Sequence, residues 1–214
     1  PKSYLHYETI KPVWRNKQIE SDLSFVDVRR NGFKSVATLT TFMTEALKNQ
    51  MFYDVFSMVD DAITGGEQKI DVQGKEPTME AMDALTLYLN EHADGENPFT
   101  VSLMKYCAKM RRMTGYAQYL SDAAKDEFNR YGLVKTYDGV AITGISSAKK
   151  LGDGSMLLPD KKVYGLAGRI GRLDMKGETH TYEDYDNNNE KIHLMVKDFT
   201  FGYSIDHIER VAKI

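Results

Sequence analysis

The sequence predicts an α+β chain, a long helix and a helix-rich middle flanked by strands from both ends. Three observations carry that prediction. Residues 35–63 (SVATLTTFMTEALKNQMFYDVFSMVDDAI) keep a helical spacing of apolar residues well beyond the ~11-residue mean of globular helices. After Tyr131-Gly132 the apolar period drops to two. The opening and closing segments also read as strands, and they are expected to pair, leaving one domain discontinuous in sequence.

From the start, residues 1–34 alternate short apolar and charged pieces. Leu23, Phe25, Val26 and Val28 fit a strand, and Asn31-Gly32 is a turn pair. In the long helix, Val36, Leu39, Met43, Ala46, Leu47 and Gln50 form one stripe, and Met51, Val55, Met58, Val59 and Ala62 a neighbouring one. Ser35 can cap its start and Gly65-Gly66 ends it. At 1.5 Å per residue the helix spans about 43 Å. The spacing of a coiled-coil seam is not sustained along it.

Residues 64–77 form a glycine-punctuated linker or hairpin, and Pro77 suits the first turn of a second helix. That helix carries Met79, Met82, Leu85, Thr86 and Leu89 on one face. HADGENP breaks it, Phe99–Val101 is extended, and Ser102 can cap a third helix reaching Met113. A fourth short helix is expected over residues 119–129, with Leu120, Ala124 and Phe128 inward. Asp138-Gly139 then turns one strand into Val140–Ile142. Met156–Leu158, Val163–Leu166 and Ile170 continue short strands, and residues 175–190 are polar enough to face solvent. Ile192–Lys197 and Phe201–Ile205 are closing strands, with a last short one through Ile208 and Val211.

Composition sets the outer bounds. With 214 residues, 42% hydrophobic and 28% charged, the chain can bury one substantial core or two small ones, and it is neither disordered nor fibrous. No stretch approaches the ~20 consecutive apolar residues of a membrane span. PKSYLHYETI has neither the basic flank nor the apolar core of a secretion signal, and it lacks an initiator Met. A net charge of −3 gives no footprint for sequence-specific nucleic-acid binding.

The motifs that resemble chemistry have plainer readings. Cys107, alone, cannot make an internal disulfide, and no His or acid on its stretch activates it, so it reads as a small buried hydrophobe. GLAGRIG (165–171) has the spacing G-x-x-G-x-x-G and lacks the Lys-Ser or Lys-Thr of a phosphate loop. In DYDNNNE, Asp184, Asp186, Asn188 and Glu190 occupy positions 1, 3, 5 and 7 of a calcium loop. Asn189 stands where that loop needs glycine and Met195 where it needs the bidentate Glu, so the stretch reads as an exposed acidic turn. His6, His92, His180, His193 and His207 make no zinc pattern, and His193 reads as a packing or interface group. Asp60-Asp61 sit unfavourably at the end of the long helix, which solvent exposure or a Lys or Arg of a neighbouring subunit explains more simply than catalysis. Lys109, Arg111 and Arg112 make the one dense basic run, with no interleaved aromatics of a single-strand platform.

The order of elements, the stretch LMKYCAKMRRMTGYAQYLSDAAKDEFNRYGLVKTYDGVAITGI (103–145) and the late LLPDKKVYGLAGRIG with FGYSIDHIERVAKI carry a resemblance. Over residues 20–214 the chain resembles the major capsid proteins of tailed bacteriophages with the HK97-type fold. That resemblance implies a long spine helix, a β-rich peripheral domain (residues 1–76 and 176–214) and a mixed α/β axial domain (residues 77–175). It implies a structural, non-enzymatic subunit that self-assembles as pentameric and hexameric capsomers into an icosahedral head enclosing double-stranded DNA. The packaged DNA would be held non-specifically. Scaffolding, portal or decoration proteins are the further partners it brings, with no membrane, no cofactor and no metal. The site of action would be the bacterial host cytoplasm during assembly, then the virion. Interface charges are expected at Arg169, Arg172, Lys109, Arg111 and Arg112. Before residue 20 there is neither the family's long arm nor its extended hairpin loop, and no Lys and Asn pair marks a covalent crosslink. Two other readings stay open, a metal-dependent hydrolase using the acidic clusters and a non-enzymatic adaptor.

Overall fold

The computed structural model describes residues 11–70, 78–110, 113, 125, 135–151, 153–159 and 162–214. The elements run β1 (Val13–Ser24), α1 (Phe25–Asn31), α2 (Lys34–Ala62), α3 (Met79–His92), β2 (Phe99–Leu103), α4 (Met104–Met110), β3 (Thr136–Tyr137) and β4 (Val140–Ile145). They continue with β5 (Val163–Leu166), β6 (Gly171–Lys176), β7 (His180–Asp186), β8 (Lys191–Ile205) and β9 (Val211–Lys213). Two compact units emerge, residues 1–48 with 171–206, and residues 49–170 with 207–214.

In the first unit, β8 is the central strand of an antiparallel sheet. β1 pairs along one side of it, and β6 and then β7 along the other. The predicted pairing of opening and closing segments is therefore present, from Val13↔Tyr203 to Ser24↔Lys191. Where two closing strands were expected, β8 is a single 15-residue strand. Asp198, at φ 61, lets the strand absorb an extra residue opposite the register shift between Lys17 and Ile19. Ile192, Leu194, Val196, Phe199, Phe201 and Tyr203 are the buried side of β8, and Met43 and Leu47 are the buried positions of α2 in this unit.

Two local expectations at its start are corrected. The strand ends at Ser24, and Phe25, Val26 and Val28 are helical. The Ser24 hydroxyl accepts the Val26 N–H at 3.1 Å, Asp27 lies in the first turn, and Gly32 at φ 66 closes the helix on Val28 O, so capping outweighs β-propensity. Ser35 lies inside α2 and donates its hydroxyl to Gly32 O at 2.8 Å instead of capping the helix.

The second unit is built on a five-stranded sheet in the order β3-β4-β2-β5-β9, antiparallel except for the β2–β4 pair. Asp138 (φ 45) and Gly139 (φ 80) supply the left-handed pair that the tight β3–β4 turn needs. Thr78 caps α3 by accepting the Ala81 N–H, and α3 buries Met82, Leu85, Thr86 and Leu89, the predicted face. It crosses β5 so closely that a Cβ at Gly165 would come within 2.8 Å of Leu85 and Leu89. Met110, Val140, Val163, Ala167 and Ala212 complete this core.

Ser102 ends up inside β2 rather than at a cap, and α4 is described to Met110. The expected fourth helix at 119–129 falls almost wholly outside the described residues. In α2, Val59 is buried as predicted and Ala62 is exposed, while Phe56, off the predicted stripes, is buried and meets Tyr164 edge-on at 5.5 Å. Residues 207–214, grouped by sequence with the opening segment, belong to the second unit because β9 adds to its sheet beside β5.

Candidate functional site

The glycine-rich stretch GLAGRIG, which holds Arg169 and is followed by Arg172, passes in sequence from one unit to the other. Arg169 belongs to the second unit and Arg172 to β6 of the first. The backbone at Arg169 is clamped, for its N–H donates to Glu96 Oε2 at 2.6 Å. Glu96 Oε1 accepts from Arg210 Nη1 at 3.0 Å, and Arg210 Nη2 reaches Asp94 Oδ2 at 3.2 Å. Gly168 (φ 141) is required beside this clamp, because a Cβ there would run into the Glu96 side chain. The Arg169 N–H, and after it the Arg210 guanidinium, hold the Glu96 carboxyl below its usual range. Arg172 projects half-exposed from β6, its Nε 3.8 Å from Asp206 Oδ2. Lys109 ends α4 with its ammonium 5.4 Å from the Tyr106 ring centroid. Arg111 and Arg112 lie outside the described residues.

The residues singled out for chemistry have other partners. Asp186 folds the β7–β8 turn, its carboxylate accepting from Asn188 N–H, Asn189 N–H and Asn189 Nδ2 at 3.0, 3.2 and 2.6 Å. Asp184 accepts the N–H of Tyr185 at 2.9 Å. Among the described residues no group of three or more His, Cys, Asp or Glu is placed to hold a metal ion. Cys107 is buried with Sγ 3.1 Å from the Ser102 hydroxyl, and burial pushes its thiol up, away from the nucleophilic thiolate.

Asp60 is answered within its own chain. Its Oδ2 accepts from Lys162 Nζ at 2.5 Å, and its Oδ1 from Lys213 Nζ at 2.9 Å and the Tyr164 hydroxyl at 3.2 Å. This replaces the expected neighbouring subunit with two lysines of the second unit. Burial pushes the Asp60 carboxyl up, but the two ammonium groups outweigh it and hold it below the usual range. Burial, and then the Asp60 charge, push the Tyr164 phenol up.

His193 stands opposite Asp22 across β1 and β8, Nδ1 to Oδ1 at 2.8 Å, with Glu20 at 3.7 Å. The Asp22 carboxylate raises its pKa. His92 stacks on Tyr88 at 4.1 Å, His207 meets Glu209 at 3.0 Å, His180 lies 6.2 Å from the Tyr182 ring, and His6 is outside the described residues. Sequence reading missed the Glu96–Arg210 clamp and the lysine partners of Asp60. Their separations, 114 residues and up to 153, leave no local signal.

What these side chains build is support for turns, edges and strand ends. No helix among the described residues is long and apolar enough to cross a membrane. No protein-family model matches the chain, and no curated protein matches it. Solved structures do. The chain is similar to a structure from Mycobacterium phage Che8 at 12% identity and TM-score 0.65, over 93% of this chain and 70% of that one. It is similar to the capsid structure of the cyanophage P-SCSP1u at 12% identity and TM-score 0.64, over 100% of this chain and 77% of that one. A virus-like particle from Pyrococcus furiosus matches at 14% identity and TM-score 0.56, over 98% of this chain and 78% of that one. The chain thus shares the fold of these phage and virus-like-particle structures. More narrowly, this is the HK97-type capsid fold, with a long helix, a strand-rich unit and a mixed α/β unit.

Proposed function

We propose that this chain is the structural subunit of an icosahedral phage head. Copies of it form five- and six-membered capsomers and close into a shell around double-stranded DNA. The net charge of −3 suits a wall that encloses DNA without gripping it. Scaffolding, portal or decoration proteins are further partners in this reading, the host cytoplasm is the place of assembly, and the virion is the destination. The unit of residues 1–48 with 171–206 serves as the peripheral part and the unit of residues 49–170 with 207–214 as the axial part, in place of the expected boundaries 1–76 with 176–214 and 77–175. Arg169, Arg172, Lys109, Arg111 and Arg112 serve as charges between subunits. Catalysis has no part in this function.

One observation carries the proposal, namely that the likeness to a cyanophage capsid runs through the whole chain and both units. A stand-alone adaptor has no need of that full architecture. The complete gene product, expressed and examined by light scattering and negative-stain microscopy, should yield closed particles or ring-shaped capsomers. A strict monomer at high concentration overturns the reading.

A further inference from the structure

We infer that the corner where α1 meets α2 receives the β7–β8 hairpin of a second copy of this chain. The inference rests on the shell reading and names one contact within it. Around Gly32 (φ 66) the chain turns sharply between the two helices and leaves large apolar groups in solvent, Phe33 at 80% exposure and Phe42 at 61%. A groove lined by Asn31, Lys34, Ser35, Thr38, Leu39 and Phe42 runs along the start of α2. Residues 28–44 hold three cations, Arg29, Arg30 and Lys34, and no acid. All three are exposed.

The hairpin has the opposite character. Residues 178–190 hold five acids, Glu178, Glu183, Asp184, Asp186 and Glu190, and no Lys or Arg. Lys191 and Lys197 of β8 follow, Lys197 with its ammonium 5.4 Å from the Tyr182 ring centroid, but acids outnumber cations across the hairpin. Every residue of β7 is exposed, including Tyr182 at 50% and Tyr185 at 53%. A groove that offers Leu39 and Phe42 among polar groups, with a cationic rim, matches aromatic side chains with an anionic rim in both packing and sign.

The two surfaces belong to one unit and are held apart by its backbone. Phe25 N–H donates to Glu190 O at 2.8 Å, fixing the start of α1 beside the hairpin turn. The groove lies beyond α1, roughly 10 Å of helix further on. Each copy thus offers one groove and one hairpin at a fixed offset. Contact between unlike surfaces is heterologous, and repeated by a rotation it closes into a ring. An exposed aromatic and aliphatic patch of this kind is otherwise an aggregation hazard.

The test uses the full chain under conditions where the wild type assembles. A groove variant (Arg29→Glu, Arg30→Glu, Lys34→Glu) and a hairpin variant (Glu178→Lys, Glu183→Lys) should each melt like the wild type. Each should lower the assembled fraction in sedimentation velocity at least tenfold. Combined in one chain, they should regain most of the assembly, because each reversed groove then meets a reversed hairpin. If a reversal fails to fold, Arg29→Gln with Arg30→Gln replaces it, and a smaller loss that deepens with added salt is expected. Reversals that assemble like the wild type overturn this contact while leaving the shell reading standing, as do folded reversals that their combination does not rescue. A wild type that never assembles removes both.

Discussion

Replacing Asp60 by Ala takes away the one carboxylate that answers two ammonium groups and a phenol. Lys213 is the more costly orphan, since its side chain is only 11% exposed, although it keeps a bond to Asp60 O at 2.9 Å. Hydrogen bonds to charged groups contribute roughly 1.5–3 kcal/mol each. The Lys162 bond, with that side chain 34% exposed, is discounted to about 0.5 kcal/mol for solvent screening. The combined loss is about 2–4 kcal/mol, a fall in melting temperature of roughly 5–15 °C for a chain of this size. Circular dichroism during thermal and urea unfolding at pH 7 measures it. The folded pKa of Asp60 lies below its unfolded value. Its contribution is therefore present above about pH 4 and is lost as pH falls through the folded value, so the gap between wild type and variant should narrow in acid. A pH 7 loss below about 0.5 kcal/mol, or a gap that stays constant into acid, refutes the argument. A double-mutant cycle with Lys213→Met isolates the pair.

Gly171→Ala would place a Cβ 1.9 Å from Ser204 O, a backbone atom that cannot step aside, so urea unfolding should show a loss of about 3 kcal/mol. Asp22→Asn should lower the His193 pKa seen in an NMR titration. In the wild type that pair stabilises below the unfolded His value and its contribution fades as pH rises through the raised folded one, a dependence the variant should lack. Arg169→Glu and Arg172→Glu should each leave melting within about 0.5 kcal/mol of wild type yet reduce particle yield, because a repeated like charge opposes ring closure. Unchanged yield would remove those positions from the interface.

The long helix was legible because its signal is local: twenty-nine residues of helical spacing predicted as 35–63 and observed as Lys34–Ala62. The Asp138-Gly139 turn and the apolar face of α3 were readable for the same reason. Phe25–Asn31 was misread because apolar alternation was weighed above the Ser24 cap and Gly32 stop that frame it. β8 was divided in two at Asp198, since a bulge reads as a break when the partner strand lies more than 170 residues away in sequence. β7 was taken only for a polar surface stretch, because a strand exposed on every residue leaves no apolar alternation to detect. Two of the assembly charges, Arg169 and Arg172, lie in and just after GLAGRIG, where the chain passes from one unit to the other, and no spacing rule separates them.

Both sheets depend on strands from the last part of the chain: β8 is the centre of one, and β9 is the outer strand of the other. During synthesis, β1 has no partner until residues 191–205 leave the ribosome, and β5 keeps a bare edge until residues 211–213 follow. Neither unit can complete its hydrogen-bonded sheet before those residues are made. Contact surfaces built on either sheet are therefore unfinished while residues 191–213 are still unmade. A chain cut short before residue 191 lacks both the centre of one sheet and the outer strand of the other.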